Sequence, residues 1–174
     1  MQHLNIPRLI GVRHKLIHLD ETIETLKQFD LKNKRVMLEI SDYPIPERHW
    51  GFDHEFSEFY DKIAKFVLEK NGIVIPGDSE ILVDRAIQKL LSLTYQPYQP
   101  KLRYDLNNGP NLERKSDKNN SFINQDFGTL TDWIYCEERD PHFLQRITQT
   151  QPHIVILGEK HIQNLYKHLM PYIL

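Results

Sequence analysis

Short apolar runs that alternate with helical patterns constrain this chain more than any other feature of its sequence. Pro7 to Gly11, Arg35 to Ile40, Ile73 to Ile75 and His153 to Gly158 are too short for helices and nearly continuous in apolar character. Strands of a parallel sheet buried on both faces read this way. Between them lie segments with a 3.6-residue rhythm. Asp20, Ile23, Leu26 and Phe29 place a helix over about 20–29, and Phe56, Phe59, Tyr60, Ile63, Phe66 and Val67 place another over 54–70, closed by Asn71-Gly72. A third follows Pro76-Gly77, with Asp78 or Ser79 as its cap, and reaches about Leu93. Ile162, Leu165, Tyr166 and Leu169 build a last one. The alternation predicts an α/β fold with a mainly parallel sheet flanked by helices.

Two stretches interrupt this order. Residues 41–53 carry Pro44, Pro46, Trp50 and Gly51 and read as a loop beyond the second strand. Residues 94–124 are rich in Pro, Asn, Gln and Lys with little apolar periodicity, which predicts a long, flexible polar insertion. Helical character resumes over 130–148, where Pro141 is expected to break the helix near Asp140. With 174 residues the whole chain, 1–174, reads as a single domain.

Composition narrows the function classes. A net charge of -2 gives no basic field to draw the chain onto phosphate backbones, so nucleic acid is not an expected partner. The one cysteine, Cys136, allows no intramolecular disulfide and no thiolate cluster, which suits a reducing cytoplasm and a buried bystander thiol. The first residues, MQHLNIPRLIGVRHK, do not follow the pattern of an export signal. No apolar run approaches the roughly 20 residues of a membrane helix. A cytoplasmic protein without a membrane span is expected.

Ligands of parallel α/β sheets collect at the carboxyl ends of the strands. At two such ends stands a Gly-x-x-His motif, Gly11 to His14 and Gly158 to His161, with each glycine expected to form the turn that presents the histidine. Glu39 closes a third apolar run. His14, Glu39 and His161 together offer two imidazoles and a carboxylate, a set suited to a divalent metal ion with positions left open. The plainer reading is that Glu39 caps a loop and each histidine binds a backbone carbonyl. His18, four residues after His14, is a conceivable further partner, although surface histidines are commoner. Asp78 is either an outer partner of the site or the cap of the third helix. Arg139, among Glu137, Glu138 and Asp140, either starts a solvated helix or turns inward from the rim to hold a substrate carboxylate or orient Glu39. Trp50, Tyr95 and Tyr98 could line a pocket, while His49 and His54 carry no paired signal.

The segments LIGVRH, VMLEI, CEERDPHFLQRI and IVILGEKH, in that order from about Pro7 to Ile173, resemble the TraB/PrgY/TIKI superfamily, which is distantly similar to ChaN-type haem-binding and erythromycin-esterase-like proteins. The resemblance implies His14, Glu39, Arg139 and His161 as site positions, with Gly11 and Gly158 as their turns. Val12-Arg13 stands where many members carry a small residue or Thr, and residues 94–124 have no counterpart. Some members are metal-dependent peptidases and others regulate peptide signals. The expected function is therefore a metal-dependent hydrolase, with peptide bonds as the candidate substrate and Glu39 and Arg139 as its catalytic residues. The alternative is a non-catalytic regulatory protein of the same fold that holds a peptide or small molecule. A third reading is an accessory protein that makes contacts through residues 94–128.

Overall fold

A computed structural model describes residues 6–45, 54–94, 103–105, 109–111 and 121–169. Four strands, β1 (Arg8–Val12), β2 (Arg35–Leu38), β3 (Ile73–Pro76) and β6 (Ile154–Gly158), form one sheet in the order β1-β6-β2-β3. Every pairing is parallel, with Val12 opposite Gly158 and Leu38 opposite Ile156. The sheet and its helices are those the apolar runs predict. The last strand in sequence, β6, enters between the first two and is buried along its whole length.

Alternation along the strands divides the core. Val36, Leu38, Ile154 and Ile156 point to one face, under α1 (Leu19–Lys27) and α2 (His54–Glu69). Met37, Val155 and Leu157 point to the other, under α4 (Ser121–Thr150) and α5 (Glu159–Leu169). Successive strand residues face opposite sides, so a continuous apolar run is what a doubly covered strand needs. α3 (Glu80–Thr94) joins α4 through Ala86, Leu90 and Ile134.

Local signals act as expected in most places. Asn71, at φ 58°, supplies the left-handed residue that ends α2. A Cβ on Gly72 would stand 2.7 Å from Val67 Cγ1, so only glycine lets the chain turn back there. Ser79 is the cap of α3, because its carbonyl accepts from Leu82 and Val83 N–H at 3.1 Å. Asp78 accepts the Ser79 N–H at 2.8 Å and spends its remaining capacity elsewhere.

Two expectations need correction. Pro141 does not break the helix: α4 runs through it without interruption. Pro141 and Glu137 both lie on the exposed side, so the Glu137 carbonyl deprived of its partner faces solvent. The helix also starts earlier than expected, so residues 121–124 belong to α4 and not to the insertion. Within 94–124 the described residues include a short antiparallel pair, β4 (Arg103–Asp105) and β5 (Gly109–Asn111). Residues 95–102, 106–108 and 112–120 lie outside the described residues, as do His49, Trp50, Tyr95 and Tyr98. Among the described residues no helix is long and apolar enough to cross a membrane.

Candidate metal centre

All four strands of the large sheet deliver a side chain to the same end. His14 follows β1, Glu39 follows β2, Asp78 follows β3, and His161 stands in the first turn of α5 directly after β6. Glu39 is turned inward because Ile40 N–H donates to the Leu38 carbonyl at 2.8 Å, closing a tight turn about it. The buried charged side chains among the described residues are Glu39, Asp78, Arg139, Asp140 and His161. They form one cluster, which locates the site more firmly than any single motif.

Glu39 is its centre. One carboxylate oxygen accepts from Arg139 Nη2 at 2.5 Å and lies 3.5 Å from His161 Nε2. The other accepts the Gly158 N–H at 2.7 Å and the Tyr60 hydroxyl at 3.4 Å. That same oxygen is 3.3 Å from His14 Nε2. The two imidazoles thus flank opposite oxygens of one carboxylate. Arg139 spans two acids, donating from Nε to Asp78 at 3.2 Å and from Nη2 to both Asp78 and Glu39. Its place is inside the cluster at 5% exposure, not at the rim, because Asp78 draws the guanidinium inward.

His161 is held from behind. Its Nδ1 is 2.5 Å from Asp140, whose second oxygen accepts from Asn164 at 2.8 Å. A carboxylate on one ring nitrogen fixes the tautomer and leaves the other free to act as a ligand, here turned to Glu39. Cys136, one helical turn before Asp140, completes a second grouping. Donor atoms of Cys136, Asp140 and His161 all lie within 4.8 Å of one another in a buried setting, so this group can coordinate a metal ion.

Electrostatics follow from these contacts. Burial pushes the Glu39 carboxyl up, but Arg139, His161 and His14 overcome it and hold the group well below the usual carboxylate range. Burial pushes His161 down, yet Glu39, Asp140 and Cys136 raise it to about 10. Burial and the Glu39 charge raise Tyr60, so its hydroxyl stays a donor. A protonated His161 and Arg139 balance two of the three carboxylates of Glu39, Asp78 and Asp140; a cation that displaced the His161 proton would meet two negative charges above the Arg139 guanidinium.

The chain was compared with known protein families, characterised proteins and solved structures. No match was found. The chemistry of the cluster therefore has to be read from its own side chains.

Of the residues singled out in the sequence, His14, Glu39, Arg139, His161 and Asp78 gather at one end of the sheet, but among the described residues the group whose donor atoms all lie within 4.8 Å of one another is Cys136, Asp140 and His161, not His14, Glu39 and His161. His18 does not join them: it is half-buried at the start of α1, with Nδ1 3.9 Å from Glu21. Neither glycine is a turn residue. Gly11 lies within β1, where a Cβ would press on Glu159 Cα at 3.2 Å, and Gly158 ends β6. A Cβ on Gly158 would sit 2.8 Å from His14 Cε1 and 3.4 Å from Glu39, so its bareness makes room for the site. Gly158→Ala is accordingly expected to expel the His14 ring while costing about 1–3 kcal/mol of stability. Proton NMR of the histidine rings, read beside a urea unfolding curve, checks this; an unmoved His14 resonance would contradict it. Asp140 and Cys136 were missed as site residues, although a Cys-x-x-x-Asp spacing on one helical face was a readable signal.

Proposed function

We propose that this chain is a metal-dependent hydrolase of peptide bonds, with one divalent cation held by His14, Glu39 and His161. The observation that carries the reading is His14 Nε2. It is buried, makes no hydrogen bond among the described residues, and faces the Glu39 carboxylate without being aligned to donate to it. A buried ring nitrogen left with one poorly aligned 3.3 Å contact forgoes part of the free energy that a well-placed partner would return. Once the His161 proton is displaced, the cluster's acids exceed Arg139 by two negative charges, which one divalent cation would balance. The resemblance to the TraB/PrgY/TIKI superfamily supports the same ligand set.

A divalent cation supplies Lewis acidity, polarising a carbonyl and making water nucleophilic near neutral pH. The residues of the chain prepare for it. Arg139 and the Gly158 N–H pin the two oxygens of Glu39, Asp78 pins Arg139, and Asp140 points His161 Nε2 at Glu39. The depressed pKa keeps Glu39 ionised, as a carboxylate that is to hold a cation must be, and makes it a weak base toward water. Tyr60 remains a neutral donor beside it.

A second placement is favoured by a separate observation, the mutual proximity of Cys136, Asp140 and His161. It would require Asp140 to give up its contacts with His161 and Asn164. Elemental analysis of the purified chain separates the two. His14→Ala and His161→Ala are expected to lose bound metal and peptide hydrolysis, while Cys136→Ala keeps both. Metal lost in Cys136→Ala and kept in His14→Ala moves the ion to the second set, and metal-free wild-type protein that hydrolyses peptides removes the mechanism.

A further inference from the structure

The site lies at the end of an open sheet edge. Among the described residues no strand pairs with the outer side of β1. Arg8 N–H donates inward to the His153 carbonyl at 2.9 Å, which sets the register: Arg8, Ile10 and Val12 bond to β6. In a parallel ladder the alternate residues, Leu9 and Gly11, then turn their N–H and C=O groups outward. These unpaired groups recur about 6.6 Å apart, the two-residue repeat of another extended strand. The edge is also accessible, since Arg8 and Gly11 are exposed and Leu9 and Ile10 only half-buried.

Grooves follow the edge on both halves. One of about 280 Å³ has Ile10 to Arg13 as its floor, with Glu21 and Thr25 of α1 and Glu159 of α5 among its walls. Another of about 430 Å³ runs along Ile6 to Leu9 beside Tyr166 and Leu169. The first ends at Arg13, the residue before His14. Charge gives the edge a polarity. Arg13 is paired with Glu159 at 3.3 Å, so the other acid lining this groove is Glu21, its side chain 84% exposed and 3.9 Å from His18 Nδ1. Arg8, exposed, supplies positive charge at the far end.

We infer that the outer edge of β1 receives an extended peptide, lying antiparallel to it, with a basic residue beside Glu21 and an acidic one beside Arg8. This rests on the hydrolase reading above and names the substrate class of that site. Backbone pairing supplies affinity without a fixed sequence, and the charged ends set direction. The peptide is thereby led along β1 toward His14 and Glu39.

The test uses the full chain stripped of metal by chelator and a capped, fluorescein-labelled hexapeptide, Lys-Val-Thr-Val-Thr-Asp, read by fluorescence anisotropy. Saturable binding is expected. N-methylation at every second residue should weaken it about tenfold, and at the intervening residues by less than about twofold. Glu21→Lys should reverse the preference between this peptide and one with its two charges exchanged. Absence of saturable binding, or N-methyl effects without a two-residue period, overturns the docking edge. Periodic binding to a chain that holds no metal and cleaves nothing keeps the edge and removes the hydrolase. Cleavage indifferent to N-methylation does the reverse.

Discussion

Arg139→Met is expected to destabilise the protein by roughly 3–5 kcal/mol. Arg139 is buried and bonded to both Glu39 and Asp78, so its removal leaves two carboxylates inside the protein with their main counter-charge gone. Burying the guanidinium is itself costly. The loss therefore measures the stranded acids more than the worth of the pairs. Arg139→Lys should recover only part of it, because a single ammonium cannot reproduce a fork that donates from Nε and Nη2 to two acids. Adding Glu39→Gln and Asp78→Asn to Arg139→Met should restore much of the stability while leaving metal binding abolished. Urea unfolding of the series at neutral pH decides the matter, and a loss under about 1 kcal/mol for Arg139→Met would show that solvent already screens the cluster.

The second large effect is on the pH dependence of the metal-free protein. His161 is raised from 6.5 to about 10, so its contribution is fully present below about pH 6.5 and drains away as pH rises toward 10. A shift of that size corresponds to something on the order of 5 kcal/mol. Glu39 behaves oppositely: its pKa is depressed, so its contribution is present above about pH 4.5 and is lost as pH falls below it. Stability should therefore be greatest between these limits and decline on the alkaline side well before any lysine titrates. His161→Gln is expected to lower the plateau and flatten the slope between pH 6.5 and 10. Added divalent metal should extend the wild-type plateau upward, because it binds the neutral imidazole and competes with the proton. An alkaline slope equally steep in wild type and His161→Gln would assign it to other groups.

How much of this was legible can be judged from particular residues. The four strands, the helices after β1, β2 and β3, and the helix-ending Asn71 follow from local pattern, since burial on both faces demands continuous apolar runs. The convergence of His14, Glu39 and His161 on one end of the sheet follows from parallel strands alone. Arg139 was visible only as one charge among four, because a charged run reads alike whether its face meets water or a buried acid. Asp78 was drawn toward helix capping, the commoner use of an aspartate after a strand. Tyr60 was hidden in the apolar face of α2, where a hydroxyl that reaches Glu39 looks like one more core aromatic.

The sequence by itself determined which segments are strands, their ends to within about two residues, and which chemically able residues stand near those ends, because hydrophobic period and turn chemistry are local properties. Only the tertiary structure decided that β6 lies between β1 and β2, and this placement sets Gly158 against both His14 and Glu39. It also decided that α4 passes unbroken through Pro141 and lays Cys136, Arg139 and Asp140 against the strand ends. Strand order and helix facing are fixed by packing between segments more than a hundred residues apart. No local pattern carries that information, and a buried network of acids, guanidinium and imidazoles exists only once those segments meet.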